Sequence, residues 1–189
     1  MQVVIADDEP ITRMDLKEIL EKEGHQVVAE AADGFDAIEC CRDCHPDLVV
    51  MDVKMPLLDG ITASKVIAEE DLAETVVLLT AYCDREFIEE AKEAKVSGYF
   101  VKPVEERTFL PGLEIAVDRS REMKKLQKEC RDMTKRLESR AVVEQAKGLI
   151  MNKRGMTEQG AYDYIRNISR MKNISMKKVA EIILMGRGK

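Results

Sequence analysis

The chain has no tryptophan and only four phenylalanines and four tyrosines in 189 residues, so aliphatic side chains and its 11 methionines must fill any interior. Methionine suits that task because its flexible thioether fills irregular gaps. No apolar stretch approaches the ~18 residues of a membrane span, and Asp7, Asp8 and Glu9 interrupt the first apolar run before it could act as a secretory leader. Both absences point to a cytoplasmic protein with no membrane partner. Cysteine is sparse, odd in number and unframed: Cys40, Cys41, Cys44, Cys83 and Cys130 read as free thiols in a reducing compartment. Cys40, Cys41 and Cys44 crowd against His45, but on one helix Cys41 would point about 100° away from the other two, and no second ligand pair exists to complete a metal site. The apolar content of 45% is that of a globular chain, large enough for one ordinary domain and a small second one.

The front of the chain is short of positive charge and the back is short of negative. Residues 1–118 hold 11 Lys and Arg against 28 Asp and Glu, net −17; residues 119–138 hold 8 against 4, net +4; residues 139–189 hold 11 against 4, net +7. The overall −6 hides this division. A basic tail behind an acidic front points to a polyanion partner, although a solvated helical surface has the same composition.

Four short apolar runs each stop on a polar side chain. Val3-Val4-Ile5 precedes Asp7-Asp8, Leu48-Val49-Val50-Met51 precedes Asp52, Val76-Val77-Leu78-Leu79 precedes Thr80, and Tyr99-Phe100-Val101 precedes Lys102. Such β-branched runs, alternating with segments of helical period, describe a parallel sheet covered on both faces, with ligands beyond the carboxyl ends of its strands. Helical period is carried by Ile11, Met14, Ile19 and Leu20 over residues 10–23, by Phe35, Ala37, Ile38 and Cys41, by Ile61, Ser64 and Ile67, and by Phe87, Ile88, Ala91 and Ala94. A first strand is expected through Val3-Val4-Ile5, and others at 27–31, 47–52, 76–80 and 98–101. Five such units within residues 1–118 imply an α/β fold, a doubly wound five-stranded parallel sheet of flavodoxin-like order.

Beyond Pro111 the chain reads as one helix to Leu137. Met123, Leu126, Cys130, Met133 and Leu137 step by three and four, the seam of a coiled coil over a linker at 119–138. Residues 139–189 read as three helices, striped by Val142, Val143, Ala146, Leu149 and Ile150, then by Ala161, Tyr162, Ile165 and Ile168, then by Val179, Ile182 and Ile183. Gly155 and Thr157 separate the first two, and Asn173 and Ser175 the last two.

Asp7-Asp8-Glu9-Pro10, the Asp52-x-x-Met55-Pro56-x-x-Asp59-Gly60 stretch, Thr80-Ala81 and Lys102-Pro103 together resemble the receiver domain of response regulators over residues 1 to about 120. The resemblance implies that Asp52 accepts a phosphoryl group from a sensor histidine kinase. It implies further that Asp7, Asp8, Asp52 and the backbone carbonyl of Lys54 surround Mg²⁺, that Thr80 and Lys102 meet the phosphoryl oxygens, and that Tyr99 is an aromatic switch. The chemistry agrees: a carboxylate attacking a phosphoryl group must overcome repulsion between anions, which a divalent ion and a lysine offset. Phosphatases of the haloacid-dehalogenase type also use an aspartyl nucleophile, but place it as Asp-x-Asp after the first strand. Here that position reads Asp7-Asp8, so no independent enzymatic turnover is expected.

The tail is similar to the ANTAR domain of transcription antiterminators, on Arg140-Ala141-Val142-Val143-Glu144-Gln145-Ala146-Lys147-Gly148-Leu149-Ile150-Met151, then Ala161-Tyr162-x-x-Ile165-Arg166-x-x-Ser169 and Val179-Ala180-Glu181. Within that family it resembles the ethanolamine-utilisation regulators. The resemblance implies binding to hairpin loops of nascent leader RNA, in a tandem arrangement engaged by a phosphorylation-dependent homodimer that keeps a terminator from forming. Lys147, Arg166, Arg170 and Lys172 are the candidates for phosphates, Gln145 and Asn173 for base edges, and Tyr162 for stacking under a base or for the core. Gly148 inside a helix suggests close approach of another backbone or easier packing in the bundle. The competing reading is a DNA-binding transcriptional response regulator, whose recognition helix would enter a major groove.

Overall fold

The computed structural model describes residues 1–81, 89–91 and 93–186. Five strands, β1 (Gln2–Ala6), β2 (Gln26–Ala31), β3 (Leu48–Asp52), β4 (Thr75–Thr80) and β5 (Gly98–Val101), form one parallel sheet in the order β2-β1-β3-β4-β5. Every residue of β3 and β4 is buried, the continuous burial that a sheet covered on both faces requires. The central order puts β1 and β3 side by side, so the residues that end them share one rim.

Three helices follow the first three strands: α1 (Pro10–Lys22), α2 (Gly34–Cys44) and α3 (Gly60–Glu69). Alternate side chains divide the core in two. Val4, Ala6, Val49, Met51 and Leu78 pack with Ala37, Cys41, Ile61 and Ile67 on one face, while Val3, Ile5, Val50, Val77 and Leu79 pack with Leu16, Leu20, Phe109 and Leu113 on the other. The expected stripes need two corrections. On α1 the core is reached by Leu16 and Leu20, while Ile11 and Met14 stand 74% and 68% exposed; on α2 Phe35 is 56% exposed although Ala37, Ile38 and Cys41 are buried. In both helices the exposed residues lie in the first turn or so, at the sheet's carboxyl rim, where the helix has not yet come over the core. Ala91 and Ala94 are buried as expected; Phe87, Ile88 and Cys83 lie outside the described residues.

From Glu106 to Arg154 the chain is a single helix, α4, with Pro111 inside it rather than at its start. Proline at that point forfeits one hydrogen bond near the beginning of the helix, a tolerable loss where the flanking Phe109 and Leu113 are buried. The compact units divide within α4, into Met1–Lys124 and Lys125–Lys189. The division falls later than residue 118 because Ser120 donates to the Glu74 carbonyl at 2.9 Å and Lys124 reaches the Asp71 carboxylate at 2.8 Å.

In the second unit, α4 is joined by α5 (Glu158–Lys172) and α6 (Met176–Met185). Gly155 takes the left-handed backbone that ends α4, and the Thr157 hydroxyl accepts from Gly160 N–H at 3.2 Å to start α5. Asn173, also left-handed, ends α5, and the Ser175 hydroxyl accepts from Lys178 N–H to start α6. Ala146, Ile150, Ala161, Ile165, Val179 and Ala180 make the small core. Tyr162 and Ile182, expected on buried stripes, are 37% and 53% exposed. The Tyr164 ring is covered instead by the Arg154 guanidinium, 4.6 Å from its centroid.

Candidate phosphoacceptor and nucleic-acid sites

At the carboxyl rim of the sheet, β1 delivers Asp7, β3 delivers Asp52, β4 delivers Thr80 and β5 delivers Lys102. Asp7 is fully buried, Asp52 is 7% exposed, Thr80 is buried, and Asp8 turns outward. The carboxylates of Asp7, Asp8 and Asp52 each offer an oxygen within 4.8 Å of the others. Lys102 spans the gap, its ammonium 2.7 Å from Asp7 Oδ2 and 2.8 Å from Asp52 Oδ2. Burial pushes the Asp7 carboxyl above its ordinary value in spite of that lysine, since the charged form has lost water. Burial by itself would lower the Lys102 pKa, but its hydrogen bonds to Asp52 and Asp7 outweigh burial and hold it above the ordinary lysine value.

Three acids with one lysine between them leave excess negative charge in a partly dry pocket. Hard oxygen donors at this separation are what a magnesium ion takes, so the residues present fit that ion. Two backbone hydrogen bonds hold the loop beyond β3: Gly60 N–H donates to the Val53 carbonyl at 2.9 Å, and Gly34 N–H to the Leu58 carbonyl at 3.1 Å. At Gly60 any Cβ would collide with the Asp52 carbonyl oxygen, so the turn from Asp59 into α3 requires glycine there. Asp59 itself caps α3, accepting from Thr62 N–H at 2.8 Å.

Tyr99 is half-buried and packs against the α2–α3 side of the sheet, while its neighbour Phe100 packs on the opposite side, edge-on to Phe109 at 5.0 Å between centroids. The two faces of β5 thus carry one aromatic each, one on the α2–α3 side and one against α4.

The basic unit distributes its predicted residues unevenly. Tyr162, Arg166 and Arg170 are exposed on α5 at steps of four that keep them on one face, beside buried Ala161 and Ile165, and exposed Asn173 follows as the cap of the helix. Gln145 and Lys172 are exposed as well. Lys147 is different: its side chain is only 7% exposed, and its ammonium lies 2.9 Å from Glu144 and 2.8 Å from Glu158, two carboxylates that hold its pKa above the ordinary value. It ties α4 to the first turn of α5 rather than presenting a free charge. Asn173 has a structural reason for its identity, since it adopts the left-handed cap of α5. A Cβ added at Gly148 would meet nothing within 4 Å, so packing inside the bundle does not require this glycine.

A groove of about 860 Å³ lies between α4, Tyr162 of α5 and the start of α6, lined by Met133, Leu137, Arg140 and Met176 among others. Arg136, Arg140 and Lys177 also line it, and the sequence alone did not single them out because they stand among many other basic residues. The seam residues Met123, Leu126, Cys130, Met133 and Leu137 are all exposed. Among the described residues no helix is long and apolar enough to cross a membrane.

Comparison with known proteins agrees with this division. Residues 3–113 match the response regulator receiver domain family and residues 131–184 match the ANTAR domain family. Over 183 residues the chain is 44% identical to the transcriptional regulatory protein PdtaR of Mycobacterium tuberculosis, covering 97% of this chain and 89% of that protein. Over 102 residues it is 39% identical to the chemotaxis protein CheY of Bacillus subtilis, covering 54% of this chain and 85% of CheY. Among solved structures, a two-component response regulator of the LuxR family from Aurantimonas sp. SI85-9A1 aligns at 33% identity with a TM-score of 0.58, over 62% of this chain and 84% of that one.

Proposed function

The chain belongs to the response regulators, with a receiver domain followed by an ANTAR domain, and on that premise we propose that it is a phosphorylation-switched antiterminator acting on leader RNA. The observation that carries this reading is the buried Asp52 carboxylate, 2.8 Å from Lys102 and within reach of two further acids, on the same chain as a basic helical unit. A receiver takes its phosphoryl group from a histidine kinase. An Asp52 oxygen attacks the phosphorus of the kinase's phosphohistidine, the P–N bond breaks, and the imidazole leaves with the electron pair. Asp7, Asp8, Asp52 and the Lys54 carbonyl would hold magnesium, which when bound neutralises charge between the nucleophile and the phosphoryl oxygens.

Lys102 changes partners during this step. Its ammonium now divides itself between Asp7 and Asp52, and the new phosphoryl oxygens draw it away from both. Thr80, buried at the end of β4, donates to a phosphoryl oxygen, and Tyr99 moves inward along the space that the hydroxyl vacates. The phosphoryl group ends on the chain's own Asp52, so no multiple-turnover hydrolysis of phosphomonoesters is expected.

Output requires two chains. The exposed seam from Met123 to Leu137 pairs with its copy, and two weak RNA sites then act as one, with a gain of ~10²–10⁴ in apparent affinity without any new contact. Hairpin loops suit a small helical face because their bases are unstacked, whereas the deep groove of duplex RNA excludes helices. Held in this form the leader cannot fold its terminator.

The deciding experiment measures mass and RNA affinity together, with and without beryllofluoride and Mg²⁺, using tandem-hairpin RNA and a DNA duplex at fixed salt. Dimerisation together with tighter hairpin binding on addition of beryllofluoride is expected, and Asp52→Asn should lose both responses. An Asp52→Asn chain as dimeric and as tightly bound as the treated wild type removes the switch, and preference for the DNA duplex replaces the RNA reading with a DNA-binding one.

A further inference from the structure

The groove in the second unit combines three properties that a surface depression between helices does not ordinarily share. Its walls are apolar, from Met133, Leu137, Val143 and Met176. An aromatic ring, Tyr162, opens onto it while remaining 37% exposed, so the ring is not absorbed into the core. Its lining carries four cations, Arg136, Arg140, Lys147 and Lys177, against one acid, Glu144. Lys147 takes up Glu144, and Lys177 lies 3.6 Å from Glu138, which leaves Arg136 and Arg140 with no ion-pair partner among the described residues.

We propose that this groove is a nucleotide pocket, which takes one unstacked base of the bound RNA against the Tyr162 ring with its flanking phosphates on Arg136 and Arg140. The proposal rests on the RNA reading above and adds to it where a base enters and which side chains select for it. A base is planar, apolar on its faces and attached to anions, which matches an aromatic ring set among methionines and leucine with guanidiniums at the edge. A peptide helix would leave the two arginines facing apolar side chains, and an acidic peptide would leave the Tyr162 face and the methionines without a partner. The pocket also continues into a track. Tyr162 begins the exposed row on α5 that runs on through Arg166 and Arg170, so the strand leaving the pocket meets cations at one-turn intervals.

Lys147 has a defined part in this arrangement. Its ammonium, held by Glu144 from α4 and Glu158 from α5, fixes the two helices that form the pocket's walls, so it acts as a positioning residue and not as a phosphate contact. Met133 and Leu137 belong to both the pocket and the exposed seam, so chain pairing and base binding act on the same two side chains. Any binding free energy that couples them works in both directions: RNA favours the paired state by the factor by which pairing favours RNA.

The test uses the full-length chain with beryllofluoride and Mg²⁺, and a pool of RNA hairpins with randomised loops, against the same stems closed as duplex. Tyr162→Leu should weaken hairpin binding roughly five- to 150-fold, the range expected for loss of one base stack. Tyr162→Phe should restore it, because the ring and not the hydroxyl does the stacking. Arg140→Met should weaken binding and lower the slope of log affinity against log salt by about 0.7, whereas Tyr162→Leu should leave that slope unchanged. Melting temperatures of the variants separate these effects from loss of fold. Wild-type binding to the pool with no effect of Tyr162→Leu, Arg136→Met and Arg140→Met overturns the pocket and leaves the RNA reading in place, while no binding by the wild type removes the RNA reading itself. A parallel titration with adenosine and guanosine monophosphates identifies the source of the nucleotide: binding of these as tight as that of the hairpins would make it a site for a free nucleotide and overturn the loop-base assignment.

Discussion

Single side chains in this protein behave according to what surrounds them rather than their type. Cys41 is fully buried on α2, and burial pushes its thiol up to about 12, whereas Cys130 is exposed on α4. Since the thiolate is the reactive form, alkylation by iodoacetamide at pH 8 followed by mass spectrometry should label Cys130 readily and leave Cys41 unlabelled until the chain unfolds. The Lys147 cluster makes a pH prediction. Lys147 hydrogen-bonds to Glu158 and holds its carboxyl below the ordinary value of 4.5, so the folded state binds this proton less readily than the unfolded chain. Its contribution is therefore complete above about pH 4.5 and is lost as pH falls through the lower folded pKa. Thermal melts of Glu158→Gln against the wild type should show the largest difference near neutral pH and convergence in acid. The acidic rim was legible residue by residue, because Asp7, Asp52, Thr80 and Lys102 each end or directly follow a strand and strand ends are fixed by topology. The role of Lys147 was not legible. Its neighbour Glu144 was close in sequence, but Glu158 arrives only after the turn at Gly155, and spacing along the chain does not report that encounter.

At the level of elements, strands were easier to place than helix faces. Each strand lies within a residue or so of its expected position, and for β3 and β4 a run buried on both sides leaves no face to assign. Helices α1 and α2 were correct in extent but not in every contact: Ile11, Met14 and Phe35 satisfy helical spacing and still face solvent, because the first turn of each helix overhangs the rim. The long helix was read in pieces, with Pro111 taken as its start, because proline ordinarily marks a beginning. Gly148 is where element and function oppose one another. Nothing in the chain occupies the space beside it, so Gly148→Ala should raise the stability of the second unit by about 1 kcal/mol through helix propensity alone. If the open space receives an RNA backbone, the same substitution lowers hairpin affinity. Chemical denaturation and gel shifts on one preparation should give opposite signs, and unchanged affinity would show that the RNA does not come close at this point.

For the molecule as a whole, the division between the two units falls inside α4. The sequence announced the two units through the change from net −17 to net +7, but the absence of any break between them is a property of the fold. Pairing along the seam should depend on the phase of that helix. Two alanines inserted after Gln127 turn the later seam residues by about 200° from the earlier ones. Sedimentation with beryllofluoride should then show loss of the dimer, whereas duplication of the seven residues 126–132 should preserve it.

On the proposed pairing, the uninterrupted helix α4 would work as a gauge with a notch at every heptad of the seam. Related chains of this design are free to lengthen or shorten the rod only in whole notches, and a sequence survey of natural lengths between the Lys-Pro step and the Gly-Met-Thr turn would find them spaced in sevens rather than spread evenly.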